Sequence, residues 1–164
     1  MSLPVTAPLA LDAGPATRAA QRDWSRTALA KLQQEAARSA DTHLLRVDLP
    51  GFPGIAFYFK DEAAHPTGSL KHRLARSLFL YALCNGRLHE GQTVVDASSG
   101  STAISEAWFA RLLGLPFVAV MPACTAPRKI ADVEALGGTC DLVDDPADVP
   151  ARAAWHAAGG ACHL

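Results

Sequence analysis

Two turns in this sequence concentrate side chains that could do chemistry. The first is Pro66-Thr67-Gly68-Ser69-Leu70-Lys71-His72-Arg73. A Pro/Gly turn here feeds an apolar helical pattern, with Ser69 as its natural N-cap and Lys71 in the first helical turn. Three basic residues at the positive end of a helix dipole are unfavourable, and local violations of this kind concentrate at functional sites. The dipole, the adjacent Arg73 and any desolvation would disfavour an ammonium at Lys71 and leave more free amine, which is what a nucleophilic lysine needs. The alternative reading is a solvated basic patch whose stems cover apolar surface.

The second turn is Ala97-Ser98-Ser99-Gly100-Ser101-Thr102-Ala103. Hydroxyls, a flexible glycine and the unpaired N–H groups of a helix start can cradle a carboxylate or phosphate. A capped loop, with Ser101 as N-cap, is the alternative. Neither turn is a G-x-G-x-x-G or G-x-x-x-x-G-K-[ST] loop, and Ser99-Gly100-Ser101 lacks the G-x-S-x-G elbow, so nucleotide and serine-hydrolase readings lose their support.

The elements that must hold these turns are legible from punctuation and apolar runs. Residues 1–14 read as an irregular arm, and Pro15 to Ser39 as an amphipathic helix carrying Trp24, Leu29, Leu32 and Ala36. His43–Leu49 and Ile55–Lys60 are strand candidates around the breakers Pro50, Gly51, Pro53 and Gly54. The helix after Lys71 is expected to bury Leu70, Leu74, Leu78 and Ala82. Apolar runs beginning at Thr93, Phe117 and Cys140 then alternate with helical stretches over about 102–113, 127–136 and 147–158. Apolar strands alternating with helices predict an α/β fold, an open, doubly wound parallel sheet with helices on both faces and right-handed crossovers. In such sheets ligands collect at the carboxyl ends of strands, where the Ser98 turn would lie.

Composition narrows the partners. The chain has 164 residues, 49% hydrophobic and 19% charged, with 15 basic against 16 acidic side chains. That is ordinary globular material, large enough for one sizeable core. A net charge of −1 without a basic run argues against nucleic acid or an anionic membrane. Cys84, Cys124, Cys140 and Cys162 form no C-x-x-C pair and no Cys/His cluster, so no metal site is expected. Cys124 and Cys140 are expected to be buried beside strands, and a reducing, cytoplasmic setting fits. His65, His72 and His89 read as surface or loop residues, and Asp96 as a cap of the loop after it.

Taken together, the two turns resemble those of the pyridoxal-phosphate enzymes of the cysteine synthase and cystathionine β-synthase family. There a G-S-[VL]-K-x-R turn holds the cofactor lysine and a later [TS]-S-G-N-T-G loop grips the substrate carboxylate. The resemblance runs from about Ile55 to Val143, including Phe59-Lys60-Asp61-Glu62 and Met121-Pro122. It implies a tryptophan-synthase-β-like fold of type II and pyridoxal 5'-phosphate as cofactor. Lys71 would be the cofactor lysine and the base at Cα, and Ser98, Ser99, Gly100 and Thr102 the carboxylate loop. Ser101 stands where the family usually has an Asn that contacts the cofactor ring, and Ala103 where it usually has Gly. The pattern is most similar to the L-cysteine desulfhydrase branch, which implies β-elimination on cysteine to pyruvate, ammonia and sulfide. β-Replacement of the cysteine synthase type is the alternative within the family, and a non-catalytic α/β module binding an anion or a partner is the alternative outside it.

After Gly159-Gly160 the next strand is due, yet the sequence stops at Leu164. It is expected to be the N-terminal part of a longer enzyme, with the family's phosphate cradle and the group facing the pyridine nitrogen further on. The expected division is an arm and helix over 1–42, a small α/β domain over 43–150, and the start of a cofactor domain over 151–164. The 164 residues alone are expected to bind the cofactor poorly and turn nothing over. The family also implies a homodimer.

Overall fold

The structure, a computed structural model, describes residues 15–164. The expected arm over 1–14 lies outside the described residues. Helix α1 (Pro15–Ser39) leads to a two-stranded antiparallel ribbon, β1 (Leu44–Val47) and β2 (Phe57–Lys60), in the register Leu45 opposite Phe59 and Val47 opposite Phe57. A short 3₁₀ turn (Glu62–Ala64) precedes α2 (Lys71–Cys84). The remainder alternates: β3 (Val94–Ala97), α3 (Ser101–Leu113), β4 (Phe117–Pro122), α4 (Pro127–Ala135), β5 (Thr139–Val143), α5 (Val149–Ala158) and β6 (Cys162–His163).

Strands β3 to β6 form one parallel sheet in the order β5-β4-β3-β6. The strand order reverses at β3, which pairs with β4 on one side and with the much later β6 on the other. Crevices outside the carboxyl end of such a strand are where open α/β sheets bind ligands. The turn that leaves β3 there is Ser98–Gly100.

Alternation along the strands sends side chains to two cores. Val94, Ala119 and Met121 face a large cluster with Phe79, Phe109, Ala103, Ala107 and Ala110. Val95 and Val120 face a small one with Ala153 of α5. Both faces are therefore covered, which is why these strands read as unbroken apolar runs.

Glycines end the helices as expected. Gly114 has φ 73°, Leu115 N–H donates to the Ala110 carbonyl and Gly114 N–H to that of Arg111, the paired bonds that close a helix on a left-handed residue. Gly138 has a different role, since a Cβ there would lie 2.8 Å from Val133 Cγ1 and 3.2 Å from Phe117 Cδ1. Gly138→Ala should therefore cost roughly 1–3 kcal/mol, as overpacked cores do. Gly51→Ala, with nothing within 4 Å of the new Cβ, is the neutral control in the same urea titration.

Helix α2 corrects the expected face. Leu70 and Leu74 are exposed, and the buried residues are His72, Ala75, Phe79, Ala82 and Leu83. Apolar residues lie nearly all round this helix, so periodicity alone could not choose the face. Packing of His72 and Phe79 against the rings of α3 sets the rotation.

Candidate active site

The turn before α2 holds Lys71 by local hydrogen bonds. Ser69 Oγ accepts from Lys71 N–H at 3.2 Å, and His72 N–H and Arg73 N–H donate to the carbonyls of Ser69 and Leu70. The N-cap position is held by Leu70 rather than by Ser69 as expected, and the Ser69 hydroxyl instead supports the turn one residue ahead of it. Gly68, at φ 65°, supplies the left-handed conformation the turn needs.

The three adjacent basic residues have separate fates. Arg73 donates from Nε and Nη2 to the two oxygens of Glu62, at 2.7 and 3.0 Å, and from Nη2 to Thr42 Oγ1 at 3.1 Å. The Arg73 guanidinium, helped by Thr42 and His65, holds the Glu62 carboxyl down at about 2. Its charge is thus matched by Glu62. His72 is fully buried. Lys71, half-buried, has no ion-pair partner among the described residues.

Of the three histidines expected as surface or loop residues His89 is exposed, whereas His65, in a loop, and His72, on α2, are both buried. Their rings stack with centroids 5.2 Å apart. Each faces a carboxylate, His72 Nε2 meeting Glu35 Oε1 at 2.8 Å and His65 Nε2 meeting Glu62 Oε2 at 3.0 Å, while His65 Nδ1 is buried with no hydrogen-bond partner among the described residues. Arg76 Nη1 reaches the other Glu35 oxygen at 3.3 Å. Burial works to raise the Glu35 carboxyl, but Ser39, His72 and Arg76 outweigh it and hold it below the usual carboxylate range. Spacing alone could not have found this buried face: His72, Ala75, Phe79 and Ala82 recur at three and four, but Leu70, Leu74 and Leu78 offer a rival face of the same period.

The second turn follows β3 as expected. Gly100 occupies the N-cap of α3 in an extended conformation, and no side chain caps the helix. Ser101 is the first helical residue rather than the cap, and Asp96 does not supply the capping bond expected of it. The leading N–H groups of α3 are therefore left to solvent or to a ligand, the arrangement that favours an anion.

The two turns meet in one cleft of about 620 Å³. Thr67 and Ser69 line one side, Ser101 and Trp108 of α3 a second, and Arg128 and Lys129 of α4 a third. Lys71, Ser98, Ser99, Gly100 and Thr102 lie outside its lining. A hydroxyl bridge joins the turns directly, for Thr67 Oγ1 is 2.9 Å from Ser105 Oγ, which donates to the Ser101 carbonyl at 2.8 Å.

Beneath the second turn sits an acid that reading the sequence did not single out. Glu106 is fully buried and neither of its carboxyl oxygens has a hydrogen-bond partner among the described residues. Burial, with the Asp96 carboxylate next to it, pushes its carboxyl up to about 10. The available signal was an acidic residue amid Ala103, Ala107, Phe109 and Ala110, the apolar face of α3.

The cysteines depart in part from expectation. Cys124 is exposed, because it falls in the turn after β4 rather than in the strand; Cys140 is half-buried, and burial with the nearby Glu134 pushes its thiol up. Among the described residues no group of three His, Cys, Asp or Glu side chains could hold a metal ion, and no helix is long and apolar enough to cross a membrane.

Pyridoxal phosphate requires an amine for covalent attachment, and its amino-acid substrates require an anion seat. Lys71, without a counter-charge, and the uncapped start of α3 fit those two demands.

Comparison with known proteins points the same way. Residues 39–162, which include both turns, match the family described as pyridoxal-phosphate dependent enzyme. L-cysteine desulfhydrase Cds1 of Mycobacterium tuberculosis is 57% identical over 142 residues, 84% of this chain and 39% of that protein. A cysteine synthase of Aquifex aeolicus is 36% identical, covering 63% of this chain and 33% of its own. Among solved structures, O-ureido-L-serine synthase superposes with a TM-score of 0.71 at 30% identity over 74% of this chain and 40% of that one. The chain thus spans well under half the length of these relatives. With a match running across most of its residues and through both turns, the chain belongs to the pyridoxal-phosphate dependent enzymes.

Proposed function

We propose that the protein carrying this chain degrades L-cysteine by β-elimination: cysteine and water go to pyruvate, ammonia and sulfide. The observation that carries this reading is the 57% identity to an L-cysteine desulfhydrase over 84% of the chain. Bound pyridoxal phosphate supplies an electron sink for the bond broken at the substrate Cα.

The residues divide the work as follows. Lys71 Nζ would hold the cofactor and, as a free amine, would take the proton from the substrate Cα. The leading N–H groups of α3, with Ser98, Ser99, Gly100 and Thr102, bind the substrate carboxylate and so orient Cα toward that amine. Ser101, at the first position of α3, would face the cofactor ring, and its side chain, shorter than Asn, would make the weaker contact. Cytoplasmic location and a homodimer belong to the same reading.

β-Replacement, in which a second nucleophile adds instead of water, is the second reading. It is favoured by the likeness to the Aquifex aeolicus cysteine synthase and to O-ureido-L-serine synthase.

Borohydride reduction of the protein at its natural length with pyridoxal phosphate, followed by peptide mapping, tests the assignment. The label is expected on Lys71, and Lys71→Ala should lose both the label and sulfide release, by on the order of 10³-fold or more. A label on another lysine, or sulfide release surviving in Lys71→Ala, overturns it. Sulfide without pyruvate, accompanied by a new amino acid, selects replacement.

A further inference from the structure

Next to Lys71 in sequence, His72 heads a buried chain of hydrogen bonds that ends in the second turn. Its Nε2 lies 2.8 Å from Glu35 Oε1 and its Nδ1 lies 3.2 Å from Thr67 Oγ1. Thr67 Oγ1 is 2.9 Å from Ser105 Oγ, and Ser105 Oγ is 2.8 Å from the Ser101 carbonyl. The chain thus runs from α1, through the residue beside Lys71 and the turn before it, into the first turn of α3.

Counting protons fixes what the chain can do. Glu35 is held ionised, so Nε2 of His72 carries a proton and donates to it. With a neutral imidazole, Nδ1 has only a lone pair, and Thr67 must spend its single hydroxyl proton on it. Thr67 Oγ1 and the Ser101 carbonyl then compete for the one proton of Ser105. With an imidazolium, Nδ1 donates to Thr67, Thr67 to Ser105 and Ser105 to the Ser101 carbonyl. All three links are made, and all point toward α3.

We propose that His72 is a positioning residue for the Lys71 site: it fixes the Lys71 turn against α3, and its charge state sets the direction of the hydroxyl chain that ends on Ser101. This rests on the reading of Lys71 and the Ser98–Thr102 turn as the active site.

The groups facing His72 come from every element packed on it. Glu35 approaches from α1, Arg76 from one turn along α2 and His65 from the preceding turn, while α3 presents only the uncharged rings of Trp108 and Phe109, 4.9 and 4.7 Å away. Burial, His65 and Arg76 disfavour the imidazolium more than Glu35 supports it, which lowers the His72 pKa. The neutral form therefore holds at neutral pH, and the chain reverses on acidification.

Nuclear magnetic resonance of the isotope-labelled protein at its natural length, free of cofactor, reads this directly. At neutral pH His72 should be the Nε2–H tautomer. On acidification the Ser101 carbonyl carbon shift should move with the same midpoint as the His72 ring nitrogens. Ser105→Ala, a substitution favourable to a helix, should keep the His72 titration and lose the Ser101 response. His72→Asn should lose both, and if that variant does not fold, Ser105→Ala alone carries the test. A Ser101 signal flat through the His72 titration, or one that persists in Ser105→Ala, overturns the proposal. The measurement needs no cofactor, so failure of borohydride to label Lys71 would strike the proposed function and leave this coupling to be judged on its own signals.

Discussion

Replacing Glu106 by Gln is expected to leave stability unchanged near pH 4 and to raise it by about 3 kcal/mol at pH 7. The sign follows from linkage. A carboxyl raised in the folded state from 4.5 to about 10 is protonated in both states at low pH. As pH climbs above 4.5 the unfolded chain releases its proton while the folded one keeps it, so each further pH unit costs the native state about 1.4 kcal/mol until the folded value is reached. Gln has the same shape, is uncharged at every pH and carries no such cost. Urea titrations of both proteins at pH 4, 7 and 9 should therefore diverge progressively. Curves separated by a constant amount would mean that Glu106 is ionised in place. The acid lies beside Asp96 at the end of β3, so the fold gives up stability directly beneath its candidate site, where proteins commonly carry strain and buried charge.

Removing Glu35 should act in the opposite sense. Glu35→Ala strips a buried carboxylate from between His72 and Arg76, and breaking a buried ion pair from one side costs about 3–5 kcal/mol at pH 7. Because the Glu35 carboxyl is held below its usual value when folded, its contribution is full above pH 4.5 and fades as the pH falls below that. The gap between native and variant melts should close in acid. Glu35→Gln, which still offers His72 Nε2–H an acceptor, should lose less. Since Glu35 is the residue through which α1 reaches His72, proteolysis within α1 should quicken in Glu35→Ala before the rest of the molecule opens.

What could be read from sequence was what local chemistry fixes. Pro and Gly mark where β4 and α3 stop, and the apolar runs of β3 and β4 announce strands covered on both faces. The two turns were legible because hydroxyls, glycine and lysine at helix starts are locally unusual. Burial of polar residues was not legible, since it depends on partners far along the chain. His72 meets Glu35, 37 residues away, and Arg73 meets Glu62, pairs joined only by the folded arrangement; His65 meets that same Glu62 from three residues away, but it is buried against the ring of His72. Nor does a sequence pattern show that β6 lies beside β3 rather than beyond β5, because both placements give a parallel sheet. Glu106 was missed for a related reason: an acid on an apolar helix face is read as an exception at the edge until the strand that covers it is placed.

The position of β6 also bears on the timing of synthesis. Strand β3, from which the serine-rich turn departs, has its outer backbone groups satisfied by Cys162 and Leu164, whose N–H groups donate to the carbonyls of Thr93 and Val95. At roughly 5–20 residues per second, the ribosome delivers those partners several seconds after β3 itself has emerged. During that interval the strand bearing the turn keeps one bare flank, so the nascent chain is open to mispairing at the place where its chemistry would reside.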